Sequence, residues 1–125
     1  MEQADNAIKE ARALLQTGFG QQGVINRAYY AMFYAVLALL QERKITPRKH
    51  KGAIEVFHRE FVRTGELPKE LAKSLARAFD LRQESDYRFL SPFSESELTV
   101  LISEAETFIE SVRRVLKSSS APTTS

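Results

Sequence analysis

Arg82 and Asp86 stand four residues apart, on what reads as one face of a helix. At that spacing a guanidinium and a carboxylate can meet. The apolar stripe Leu71, Leu75, Ala78 and Phe79 continues through both residues, so both are expected to point partly inward. A guanidinium on the core side is costly unless it is paired, and Asp86 is the natural partner. Two chemistries fit. The pair could simply fix packing, the commoner outcome of such spacing. It could instead line a pocket where Arg82 takes up a phosphate and Asp86 holds it in place.

A second cluster is Asn26-Arg27 with Tyr29 and Tyr30. Arg27 could face solvent at a helix start or line a pocket with Tyr30. The hydroxyls of Tyr29, Tyr30 and Tyr34 need partners wherever they are buried. The third cluster is the basic stretch Arg43, Lys44, Arg48, Lys49 and Lys51, with His50 among them. Net charge is only +2, and the rest of the chain is net acidic, so the positive charge is local. Cations in the first turn of a helix oppose its dipole. An anion there would meet both free backbone N–H groups and side chains. A solvated basic loop is the plainer reading. RNA, a nucleotide phosphate or an acidic partner would suit the alternative.

Other chemistries find little support. With no cysteine there is no disulfide framework, cysteine zinc site or thiol nucleophile. His50 and His58 are the only histidines, and neither stands in a metal-binding motif. No strand precedes Gly18 and Gly20, so they are not a phosphate-cradling loop. No cofactor or metal is expected. No basic region followed by an apolar run opens the chain, and a cytoplasmic setting is expected. The longest apolar run, Ala28 to Leu40, is 13 residues, short of the about 20 that a membrane span needs.

The elements that must position these residues are helices. Apolar spacing predicts them over roughly residues 2–17, 21–43, 46–64, 68–87 and 94–117. The second is apolar nearly all round, which suits the middle of a bundle. Thr46 and Pro47 are expected to open the third. Ser94 and Glu97 form a capping box for the fifth, with Phe93 and Leu98 as its hydrophobic staple. Residues 118–125 lack an apolar pattern and are expected to be a disordered tail after one domain, residues 1–117. The fold expected is all-α, an up-and-down antiparallel bundle of about five helices.

The run Asn26-Arg27-Ala28-Tyr29-Tyr30-Ala31-Met32-Phe33-Tyr34-Ala35 resembles the second helix of HEPN domains. His50-Lys51-Gly52, then Phe57 and Phe61-Val62, is similar to the next segment of that family. Leu81-Arg82 followed by Asp86-Tyr87 completes a pattern covering most of residues 4–117. The likeness is strongest to small prokaryotic HEPN proteins associated with minimal nucleotidyltransferases. It implies a helical bundle that forms homodimers and partners a nucleotidyltransferase in a toxin–antitoxin-like pair. Some such domains are ribonucleases, in which an arginine and a histidine four to six residues beyond it act together. Here Arg82 stands in the arginine's place, but the residue after four others is Tyr87, and no histidine follows. A tyrosine with a pKa near 10 is a poor proton shuttle at neutral pH. The resemblance therefore implies a non-catalytic module that binds a nucleotide or another phosphate ligand. Arg27, Tyr30, Lys49, His50, Arg82, Asp86 and Tyr87 are its candidate ligand-binding residues. A ribonuclease toxin using Arg82 and Tyr87 and a purely structural helical adaptor are the alternatives.

Overall fold

A computed structural model describes residues 1–18, 20–47, 49–87 and 93–120. The five helices are α1 (Glu2–Thr17), α2 (Gln21–Glu42), α3 (His50–Phe57), α4 (Lys69–Ser85) and α5 (Glu95–Ser120), with a π-helical turn, His58–Val62, continuing α3. Among the described residues there is no strand.

The second helix is the axis of the bundle. Val24, Ile25, Ala28, Tyr29, Met32, Val36, Leu39 and Leu40 are all buried, which accounts for its apolar composition. By length and composition alone α2 would also pass for a membrane span. In the fold, much of its apolar surface is buried against the other helices, while Tyr30, Tyr34, Leu37 and Ala38 are only partly covered. From α1 the buried residues are Ala4, Ala7 and Ala11, so that helix meets the bundle through methyl groups and lies close. It ends at Gly18, whose left-handed φ of 74° lets its N–H reach the Leu15 carbonyl. Within the core, Phe57 packs against both Phe61 and Phe108 of α5, all three fully buried.

Cross-helix pairs show the chain directions. Asp5 pairs with Arg113 and Arg12 with Glu106, so α1 and α5 are antiparallel. Gln22 bonds Asp86 and Asn26 bonds Arg82, so α2 and α4 are antiparallel too. That second register decides which side chains face each other at the functional end.

Local signals hold at one end of the chain and fail at another. At the start of α5, the Ser94 N–H donates to Glu97 and the Glu97 N–H donates to the Ser94 hydroxyl, at 3.0 and 3.1 Å. Phe93 and Leu98 are both buried beside them. The third helix, in contrast, begins at His50 and not at Thr46-Pro47. Its N-cap is Lys49, with no side-chain cap. After α2 the chain reverses through Lys44, at a φ of 59°, and the Ile45 N–H returns to the Leu40 carbonyl. That closure directs residues 45–47 away from helical geometry. α5 runs to Ser120, past Lys117, while residues 121–125 of the expected tail lie outside those described.

Candidate functional site

The site forms where the N-terminal half of α2, the start of α3 and the last turns of α4 converge. Asn26, Tyr29, Tyr30 and Phe33 share one face of α2, at the 3–4 residue spacing of a helix. His50 enters from α3. Its ring stacks on Phe33, centroids 3.7 Å apart and nearly parallel. The Tyr29 hydroxyl hydrogen-bonds to His50 Nε2. Arg82 reaches across from α4. Its Nε donates to Asn26 Oδ1 at 3.1 Å, and its Nη2 donates to the Tyr30 hydroxyl at 3.3 Å. Its guanidinium carbon lies 5.5 Å from the Tyr29 ring centre and 5.2 Å from that of Tyr30, within cation–π range.

Among the described residues every partner of Arg82 is therefore neutral. The expected pair with Asp86 does not form. α4 ends at Ser85, which puts Asp86 in the following turn, where its carboxylate accepts from Gln22 Nε2 at 2.6 Å. Two hydrogen bonds and two aromatic faces draw Arg82 to α2 instead. Among the described residues no carboxylate forms an ion pair with it. Its charge is positioned but not cancelled.

The same charge acts on its neighbours. His50 has a pKa below its ordinary value of 6.5, first because it is partly desolvated and second because Arg82 repels its protonated form. Burial pushes the Tyr29 phenol up to about 12, although Arg82 pulls the other way. At neutral pH both groups are uncharged, and Arg82 is the cation of this corner.

Arg82, His50 and Tyr29 edge a cleft of about 630 Å³ between α3 and α4, a size that holds a small molecule. Phe79, one turn before Arg82, also lines it and is 37% exposed, unusual for a large aromatic residue. Among the described residues there is no group of three or more His, Asp or Glu that could hold a metal ion.

The remaining sequence candidates scatter. Arg27 does not join Tyr30 in a pocket. It faces away and pairs with Glu10 of α1 at 3.1 Å, both side chains half exposed. Tyr30 serves as a partner of Arg82. Lys49 is exposed at the head of α3, where its carbonyl accepts from Ala53. Tyr87 is 81% exposed in the turn after α4. Within the basic stretch, Arg43 is neutralised by Glu66 at 2.6 Å and covers Phe61, while Arg48 lies outside the described residues. Asn26, Tyr29 and Phe79 are residues of this corner that sequence reasoning left without a binding role, and Asn26 is the one that holds Arg82. The one signal of Asn26 was a polar amide in register with Tyr29, Tyr30 and Phe33.

An all-α bundle with an arginine held at a cleft by an asparagine and tyrosines is thus the class this fold and site define. The HEPN domain model matches residues 1–115, and the chain belongs to the HEPN family. It is 36% identical to a UPF0332 protein of Thermotoga maritima, over 91% of this chain and 86% of that one. Two Methanocaldococcus jannaschii proteins, each named as a candidate toxin, are also similar. One is 31% identical over 93% of this chain and 78% of its own length, the other 32% over 94% and 86%.

Proposed function

We propose that this chain is a non-catalytic HEPN module that partners a nucleotidyltransferase in a toxin–antitoxin-like pair and binds the phosphate of a nucleotide or a related ligand at Arg82. The observation that carries the binding claim is a guanidinium fixed by Asn26 and Tyr30 that has no ion-paired carboxylate among the described residues. An anion arriving at Arg82 needs to displace no paired carboxylate. The toxin-like role draws its support from the names of the Methanocaldococcus relatives, and the partner from the family resemblance.

The test is calorimetry with AMP and with inorganic phosphate. A charge-assisted hydrogen bond contributes about 1.5–3 kcal/mol, so Arg82→Ala is expected to weaken both ligands by at least about tenfold. Binding that is unchanged in Arg82→Ala, or absent from the wild type, removes the phosphate site. Co-purification with a minimal nucleotidyltransferase tests the partner separately.

One observation favours a second reading, the ribonuclease. His50 comes from another helix yet stands beside Arg82, in the neutral form that a general base requires. Incubation with RNA in EDTA decides it. Cleavage that disappears in both Arg82→Ala and His50→Ala would make the module an enzyme.

A further inference from the structure

We propose that the cleft between α3 and α4 seats the apolar or aromatic body of a phosphate monoester whose phosphate is held by Arg82. This rests on the phosphate-site reading above and narrows its ligand.

The cleft has a structural cause. α3 and α4 both pack on α2, but their backbones do not approach one another. On the α4 side the wall includes Ala72 and Ala76, where longer side chains would close the gap. Leu75 and Phe79 supply the rest of that wall, and Ile54 faces it from α3. None of these five carries a polar side-chain atom. Polar groups lie at one end, where Arg82 is near His50 and Tyr29, and along the opposite wall, where Lys51 and Glu55 of α3 and His58 of the π-helical turn line the cleft.

That division matches a ligand with two unlike parts. The anionic end belongs beside Arg82. Phe79 precedes Arg82 by three residues on the same helix, so the stacking face and the cation are neighbours. The body beyond the phosphate meets methyl, isobutyl and phenyl groups on the α4 side. The α4 wall of Ala72, Leu75, Ala76 and Phe79 offers no donor or acceptor to the edge of a nucleobase, and Lys51 and Glu55 on the facing wall are solvent-exposed. Selectivity then follows apolar area and stacking, not base identity. A bare phosphate leaves the apolar wall in water, so adding an apolar body raises affinity in proportion to the area it covers.

The experiment is titration calorimetry on the full chain with inorganic phosphate, AMP and 1-naphthyl phosphate. The expected result is that 1-naphthyl phosphate binds at least about tenfold more tightly than inorganic phosphate and no more weakly than AMP. Ala76→Leu, at an exposed helical position that accepts leucine readily, is expected to erase that gain and leave inorganic phosphate unchanged. Ala72→Leu serves as a second filling variant. Arg82→Ala should weaken all three ligands.

Three results would overturn the proposal. If 1-naphthyl phosphate binds no better than phosphate while AMP and phosphate still depend on Arg82, the apolar body is wrong and the phosphate site stands. If the gain survives both filling variants, the body lies elsewhere. If sedimentation shows a dimer that excludes 1-naphthyl phosphate until it dissociates, a second copy occupies the cleft. Absence of any Arg82-dependent binding is a separate outcome, which removes the phosphate site itself.

Discussion

Arg82 and Arg113 are both half-buried arginines that join two helices, yet their surroundings are opposite. Arg113 ties α5 to α1 through Asp5, at 2.6 Å to Oδ1, and has Glu110 at 3.4 Å. The hydrogen bond to Asp5 raises its pKa further, and burial opposes that only in part. Arg82 ties α4 to α2 through an amide and a phenol. Both arrangements fix a guanidinium in space. Only the one at Arg113 also cancels its charge. Identity and burial alone therefore do not separate a structural arginine from a binding one. The charge of its partners does.

The sharpest way to break this contrast is to make Arg82 resemble Arg113. Asn26→Asp is nearly isosteric and would put a carboxylate where an amide oxygen now accepts from Nε at 3.1 Å. A hydrogen bond to a charged group contributes about 1.5–3 kcal/mol, and a carboxylate already paired with Arg82 would deny phosphate that interaction. Phosphate affinity is expected to fall about tenfold to a hundredfold, with the fold intact. Calorimetry beside a urea titration checks both. If phosphate binds to Asn26→Asp as it does to wild type, the uncompensated charge is not what attracts it.

The converse change is smaller. Asp5→Asn removes the main counter-charge of Arg113 but leaves Glu110 in place. The Arg113 and Asp5 side chains are 32% and 34% exposed, so much of the pair's Coulomb energy is already screened. A loss of about 0.5–1 kcal/mol in urea denaturation is expected, with phosphate affinity unaltered. A change in ligand binding here would mean that the two arginines are not separable as described.

The same contrast shows what the sequence could reveal. The capping box at Ser94 and Glu97 spans three residues, so its geometry follows from local chain alone. The apolar run in α2 was legible as a core helix because burial over most of its surface requires it. Arg82 was legible as an important residue from its place on an apolar stripe. Its partner was not. The carboxylate one helical turn on, Asp86, is four residues away, whereas the true acceptors, Asn26 and Tyr30, are more than fifty residues earlier. Their meeting depends on the antiparallel register of α2 and α4, which no local pattern encodes. The cleft escaped notice for a similar reason. Ala72 and Ala76 are unremarked alanines until one knows that they face a gap. Thr46-Pro47 shows the reverse failure, a good local start signal overruled by the turn that closes α2.

The smallest effect expected is a dependence on pH, and it carries its own test of the comparison. The His50 pKa lies below 6.5 in the folded chain and near 6.5 in the unfolded one. Between those values the unfolded chain binds more protons, so stability falls as pH drops through that window and is fully present above it. The ring is partly exposed, so solvent screens the effect and it should be the weakest of the three. His50→Gln should lose this component in urea titrations between pH 7.5 and 5.5. Phosphate bound at Arg82 would act in the other direction. Its negative charge offsets the guanidinium that now repels His50⁺, so saturating phosphate should raise the His50 titration midpoint, followed by its ring-proton NMR signal. By linkage, His50 then contributes a component of phosphate affinity that rises as pH falls through the same window, read as the difference between wild type and His50→Gln so that the ligand's own titration cancels. Arg113 has no histidine beside it in any described contact, so Asp5→Asn should leave this coupling unchanged. A His50 midpoint indifferent to saturating phosphate would show that the anion does not sit at Arg82, whatever its overall affinity.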